Sequence, residues 1–177
     1  MNWFMFGCCL LLAVTAQTTL TPLINLYTIR PDVLFILVVF FALYLNAPSA
    51  HLAGWILGLV ADLTSVERNG LFALTFLIAA ILVHSIRHVV FLRNRVTHFA
   101  VTLLAGLLVQ LVFVVYRFFI LDEFHIGMSR LLSESVLAAS WTAVWAVPIH
   151  AALCKGSRWL GLHVSSYPHA GLHSVSG

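Results

Sequence analysis

Charge is what this sequence has least of. Of its 177 residues, 8% are Asp, Glu, Lys or Arg, against about 25% in an ordinary soluble domain. So few charges cannot cover a water-facing surface on a chain that is 62% hydrophobic with a mean hydropathy of +1.03. A soluble globular fold is excluded, and lipid is the solvent to which the outer surface is matched. Cysteine is also scarce. Cys8 and Cys9 are adjacent in the first apolar stretch, and Cys154 ends the last one. With no C-x-x-C pairing, a zinc or redox site is not expected, and all three read as small apolar fillers. No run of Lys or Arg forms a stripe, which removes nucleic acid as a partner. No Ser/His/Asp arrangement, phosphate loop or H-E-x-x-H is present, so the residues make no case for catalysis, a cofactor or a metal. The tail histidines His163, His169 and His173 are spaced too loosely to argue a metal site.

What is there is apolar runs separated by short polar breaks. A spanning helix needs about 20 mostly apolar residues, which leaves room for about six spans. The expected fold is an all-α integral membrane protein, one bundle over residues 1–154, followed by a flexible cytoplasmic tail over 155–177. Span one runs from about Trp3 to Leu20 and is read as retained, because a basic n-region and a small-residue cleavage site are both missing. Span two starts at Pro31-Asp32, where proline suits the first turn and the acid meets the positive end of the helix dipole. Its apolar run, Val33 to Leu45, is short for a crossing, which suggests little tilt or local thinning of the bilayer. "NAPS", Asn46 to Ser49, reads as a turn, making spans two and three an antiparallel hairpin. Span three covers about Ala50 to Thr64, and Asn69-Gly70 is the next turn. Span four covers Leu71 to about Val90, span five Phe99 to Leu121, and span six Leu131 to about Cys154 with Pro148 as a kink site.

Six spans put both termini on one side. With them go the Asn46 turn and the Arg87–His98 loop, giving Arg87, Arg93, Arg95, Lys155 and Arg158 with no acidic residue. The opposite side has Arg30, Arg68, Arg117 and Arg130 together with five acids, Asp32, Glu67, Asp122, Glu123 and Glu134. Basic residues favour the cytoplasm, so both termini are expected there.

The informative stretch is "GWILGLVADLTS", Gly54 to Ser65. Gly54, Gly58 and Asp62 are four apart and share one helical face. Small residues at that spacing let helix backbones approach closely in lipid, so this face is expected to meet a helix and to carry Asp62 into the contact. A carboxylate there costs a few kcal/mol on insertion scales. It also sits near a helix C-terminus, where the dipole opposes it. The candidate donors are Arg30, Arg117, the hydroxyls of Thr64 and Ser65, and backbone N–H groups of the turn beyond. The readings open at this point are a solvated interfacial acid, a buried structural pairing, and a proton-transfer or substrate-binding group. Arg30, Asp32 and Asp62 also fall at one end of the expected hairpin, where two readings stand open, a shared polar cluster or a well-started helix with a snorkelling arginine. Gln110 and Arg117 share a face of span five, which favours a helix contact. Trp141, Trp145 and His150 read as packing or anchoring groups. His51, His84 and His88 read as interfacial.

"RPDVLFILVVFFAL" followed by "GWILGLVADLTSVERNGLFAL" resembles the MreD family of rod shape-determining proteins. Pro31-Asp32 matches the family's opening of its second helix, and Gly54, Gly58, Asp62, Ser65, Gly70 and Leu71 fall on its glycine–aspartate helix and the turn that follows. The segment "VERNGLFAL" departs from the shorter turn frequent in the family, and the Ser/His-rich tail is extra. The resemblance implies a non-catalytic scaffold of the bacterial inner membrane. Its implied partners are an MreC-like protein, MreB, the SEDS glycosyltransferase RodA and a class B penicillin-binding protein, with side-wall peptidoglycan synthesis as the process served. The runner-up is a substrate-capturing subunit of an energy-coupling vitamin transporter, which would need aromatic and polar groups converging on one deep pocket.

Overall fold

The computed structural model describes residues 3–19, 31–65, 70–87, 95–119 and 128–156. Among them the chain forms six α-helices and no strand: α1 Trp3–Thr19, α2 Val33–Tyr44, α3 Ala47–Thr64, α4 Leu71–Ile86, α5 Arg95–Phe119 and α6 Met128–Lys155. Arg30, residues 66–69, Arg93 and the residues from 157 onward lie outside the described residues, and with them the expected tail and part of the expected cytoplasmic loop. Two helices, α5 and α6, are long and apolar enough to cross a membrane; α1, α2 and α4 are apolar but shorter.

Helix directions alternate along the chain. Phe6 of α1 packs on Phe41 of α2, and the side chain of Gln17, near the other end of α1, bonds the start of α2, so this pair is antiparallel. Gly54 faces Ala80 while Gly58 faces Ala73, which sets α3 against α4 in opposite directions. Phe35 meets Phe76 and Ala42 meets His84, so α2 and α4 run the same way. Gly106 faces Ala139 and His98 meets His150, making α5 and α6 antiparallel.

The short helix α2 is the axis of this bundle. It touches all five other helices, and every residue from Leu34 to Leu43 is buried. Its sequence has no polar face, and a helix apolar all round belongs inside. Along its length α2 is sheathed by the other five helices. The turn to α3 is also tighter than the "NAPS" motif suggests. Only Leu45 and Asn46 separate the helices, and Pro48 is absorbed into the first turn of α3, where its missing N–H leaves no bond unmade. At the far end, α5 begins at Arg95 and not at Phe99, which brings His98 inside the helix and buries it. Pro148 lies within α6, which continues to Lys155.

Candidate functional site

The stripe on α3 is filled by α4. A Cβ placed on Gly54 would stand 2.6 Å from Ala80 Cβ and 3.1 Å from the Phe76 carbonyl oxygen. One on Gly58 would stand 2.6 Å from both Ala73 Cα and the Phe72 carbonyl oxygen, and 2.9 Å from the Ala73 nitrogen. Any side chain at Gly58 therefore meets main chain, which has no rotamer with which to give way. The two glycines serve a contact inside this chain, and α4 already occupies that face.

One turn further along the same face, Asp62 is 6% exposed. Its Oδ1 accepts from the Phe72 N–H at 3.1 Å and its Oδ2 from the Ala73 N–H at 2.8 Å. These amides belong to the first turn of α4, whose opening N–H groups have no partner within their own helix. Gly70, preceding the helix with φ +70°, has no side chain with which to cap it. Asp62 thus acts as an N-cap supplied by the neighbouring helix. The positive end of the α4 dipole offsets the unfavourable end of α3, and bonds from N–H groups to an ionised carboxylate are among the stronger ones. Of the other candidate donors, Thr64 Oγ1 donates to the carbonyls of Val60 and Ala61, and Ser65 Oγ to that of Asp62. Arg117 is half-buried in the last turn of α5.

Asp32 holds the start of α2 in the ordinary way, its Oδ1 accepting from the Phe35 N–H at 3.0 Å. Around it, the Val33 N–H donates to Gln17 Oε1 of α1 at 2.7 Å, and the Asp32 N–H donates to Thr142 Oγ1 of α6 at 3.2 Å. Because α2 and α4 are parallel, the two acids cap neighbouring helices at the same end of the bundle. Among the described residues each acid caps a different helix start, and Arg30, the third expected member of the cluster, lies outside the described residues.

At the opposite end of α2, basic groups from α4 meet its carboxy-terminal carbonyls. His84 Nδ1 lies 3.1 Å from the Ala42 oxygen, and Arg87 Nη1 donates to the Leu45 oxygen. His51 packs edge-on against His84, ring centroids 5.7 Å apart. Further inside, Tyr44, His98, His150 and Cys154 form a hydrogen-bonded group that sequence reading missed. His150 inside an apolar span was the available signal, since a buried imidazole needs partners. Its partner lies 52 positions away, which no local pattern reveals.

Outward, α5 and α6 present Leu104, Leu108, Leu111, Leu132 and Val136. With Leu82 and Val83 of α4 these line a groove of about 610 Å³ that also holds Gln110, Ser85 and Ser135. A second groove of about 310 Å³ lies between α1, α2 and α6, lined by Leu12, Ala16, Leu37, Trp145 and Ile149 among others.

The family model of the rod shape-determining protein MreD matches residues 1–155. No curated protein and no solved structure matches the chain at a significant level.

Proposed function

The chain belongs to the rod shape-determining MreD family, and from that premise we propose that it is a non-catalytic scaffold of the bacterial cell-elongation complex. The family itself gives a role in rod shape determination and is one of membrane proteins, not known as a family of enzymes. In the proposed reading all six helices cross the inner membrane, both termini are cytoplasmic, and an MreC-type protein is bound within the bilayer. Through it and the RodA-type and penicillin-binding synthase components, with MreB on the cytoplasmic side, the scaffold supports side-wall peptidoglycan synthesis.

The observation that carries this reading is the division of labour between inside and outside. The intramembrane acid at Asp62 and the glycine stripe are taken up in joining α3 to α4. Large apolar side chains on α5 and α6 are left facing outward. Without a hydrophobic driving force in lipid, such faces associate with other helices by packing and interhelical hydrogen bonds. The groove between α4, α5 and α6, apolar apart from Gln110, Ser85 and Ser135, suits a helix better than a polar solute, which weighs against the transporter subunit. The test is co-purification from mild detergent. Recovery of an MreC-like protein and synthase components supports the scaffold; recovery of the chain without them, holding a small-molecule ligand, overturns it.

A further inference from the structure

Four side chains from three helices form one hydrogen-bonded path that the scaffold reading leaves unused. His150 of α6 is 1% exposed and His98 of α5 is 9% exposed, and their Nδ1 atoms are 3.2 Å apart. His150 Nε2 lies 3.0 Å from the carbonyl oxygen of Ile36 on α2. His98 Nε2 lies 3.4 Å from the Tyr44 hydroxyl of α2, and the Cys154 thiol of α6 donates to that hydroxyl at 3.4 Å.

The hydrogens follow from what each atom can do. A carbonyl oxygen only accepts, so His150 Nε2 carries a hydrogen. Between two facing Nδ1 atoms there is room for one hydrogen. With His150 neutral its Nδ1 is bare, and the hydrogen belongs to His98. Neutral His98 then has a bare Nε2, which accepts from the Tyr44 O–H, while the Tyr44 oxygen accepts from the Cys154 S–H. Every bond points the same way, from Cys154 through Tyr44, His98 and His150 to the Ile36 carbonyl.

Such a path has one place for an additional proton. On His98 Nε2 it becomes a donor to Tyr44, whose own O–H turns toward the Cys154 sulfur; the outer bonds reverse and the inner pair is undisturbed. A further proton would put two hydrogens between the Nδ1 atoms and force the rings apart. We propose that the His98–His150 pair, with Tyr44 as its relay, is a proton-binding latch that ties α5 and α6 to α2 and loosens on acidification. The charged and titratable groups around it include His84 and Arg87 of α4, which bind the same end of α2. α2 contributes Tyr44 and has no charged residue between Val33 and Tyr44. α6 contributes Cys154, followed by exposed Lys155. On α5, Arg95 precedes His98 by three positions in the sequence.

The test uses the full chain in nanodiscs. Thermal midpoints at pH 8 and pH 5 are compared for the wild type and Tyr44→Phe, which keeps the ring and removes the acceptor for the added proton. Tyr44→Phe should already melt lower at pH 8, because it leaves the bare His98 Nε2 without its donor, and its further downward shift between pH 8 and pH 5 should exceed that of the wild type. Equal shifts overturn the latch, because acid sensitivity arising elsewhere is common to both proteins. Nitrogen-15 NMR of histidine-labelled protein gives an independent reading, with signals assigned from His98→Gln and His150→Gln. At pH 8, His98 should carry its hydrogen on Nδ1 and His150 on Nε2. A hydrogen on His150 Nδ1 at that pH contradicts the proposal.

Discussion

Asp62 Oδ2 receives the backbone N–H of Ala73 at 2.8 Å, so an acid at the end of α3 opens α4. The same alanine is the residue whose main chain a Cβ on Gly58 would strike. These are two halves of one device. The glycine lets the backbones close, and the closeness puts the amides within reach of a short carboxylate. The acid then offsets part of its own burial by satisfying donors that have no partner within their own helix.

Removing the carboxylate should cost more than neutralising it. Asp62→Asn keeps one acceptor for two N–H groups and turns an NH₂ toward the other, and a loss of about 1–2 kcal/mol is expected from the cap and dipole terms. Asp62→Leu strands both amides, each costing about 1–3 kcal/mol. Thermal midpoints in mild detergent should fall in the order wild type, Asn, Leu. A leucine variant as stable as the wild type would show that the amides find other partners.

The glycines should rank differently from what their identical side chains suggest. Gly58→Ala drives a methyl against main chain, and overpacking of this kind costs about 1–3 kcal/mol. Gly7, around which an added Cβ meets nothing within 4 Å, should accept alanine with a small gain from helix propensity. Gly106, whose nearest neighbours would be Ala139 and Phe35 at 3.5 and 3.6 Å, should be close to neutral. Gly58→Leu should reduce capture of MreC-like and synthase partners more than Asp62→Asn does. The reverse order in a pull-down would make the carboxylate, and not close packing, the dominant feature.

Asp32 gives a more ordinary prediction. Asp32→Ala removes the acceptor for the Phe35 N–H and should cost about 0.5–2 kcal/mol, as N-caps do. Gln17→Leu should add to this, because it strands the Val33 N–H on the same turn. The two losses share a helix start, so a double-mutant cycle should show coupling. Strict additivity would mean that α1 and Asp32 hold α2 independently.

How much of this could be read in advance depends on the range of each interaction. The spacing of Gly54, Gly58 and Asp62 marks a face, because helical periodicity is local. It leaves the answering helix open, and the donors at Phe72 and Ala73 were only one of several groups within sight of Asp62. The family resemblance rested on this same stretch. The central place of α2 is not legible, since a run of apolar residues is alike whether protein or acyl chains surround it. The basic residues before His98 resemble a span end, which hides its place inside α5. The contact of His98 with His150 joins α5 to α6 across a long sequence separation, and nothing in either segment announces it.

The packing of α3 on α4 can be tested by exchanging which side of the seam holds the methyl group. A Cβ on Gly54 meets Ala80 Cβ at 2.6 Å, a side-chain atom that can be taken away, and the Phe76 carbonyl oxygen less closely at 3.1 Å, so most of the clash is removable. The measurement is the thermal midpoint of Gly54→Ala, of Ala80→Gly and of the pair combined. Gly54→Ala should lower the midpoint, and adding Ala80→Gly should restore most of it, although the second change alone is destabilising. If the double variant shows the sum of the two losses, residues 54 and 80 do not meet, and the glycine face of α3 packs on something other than α4.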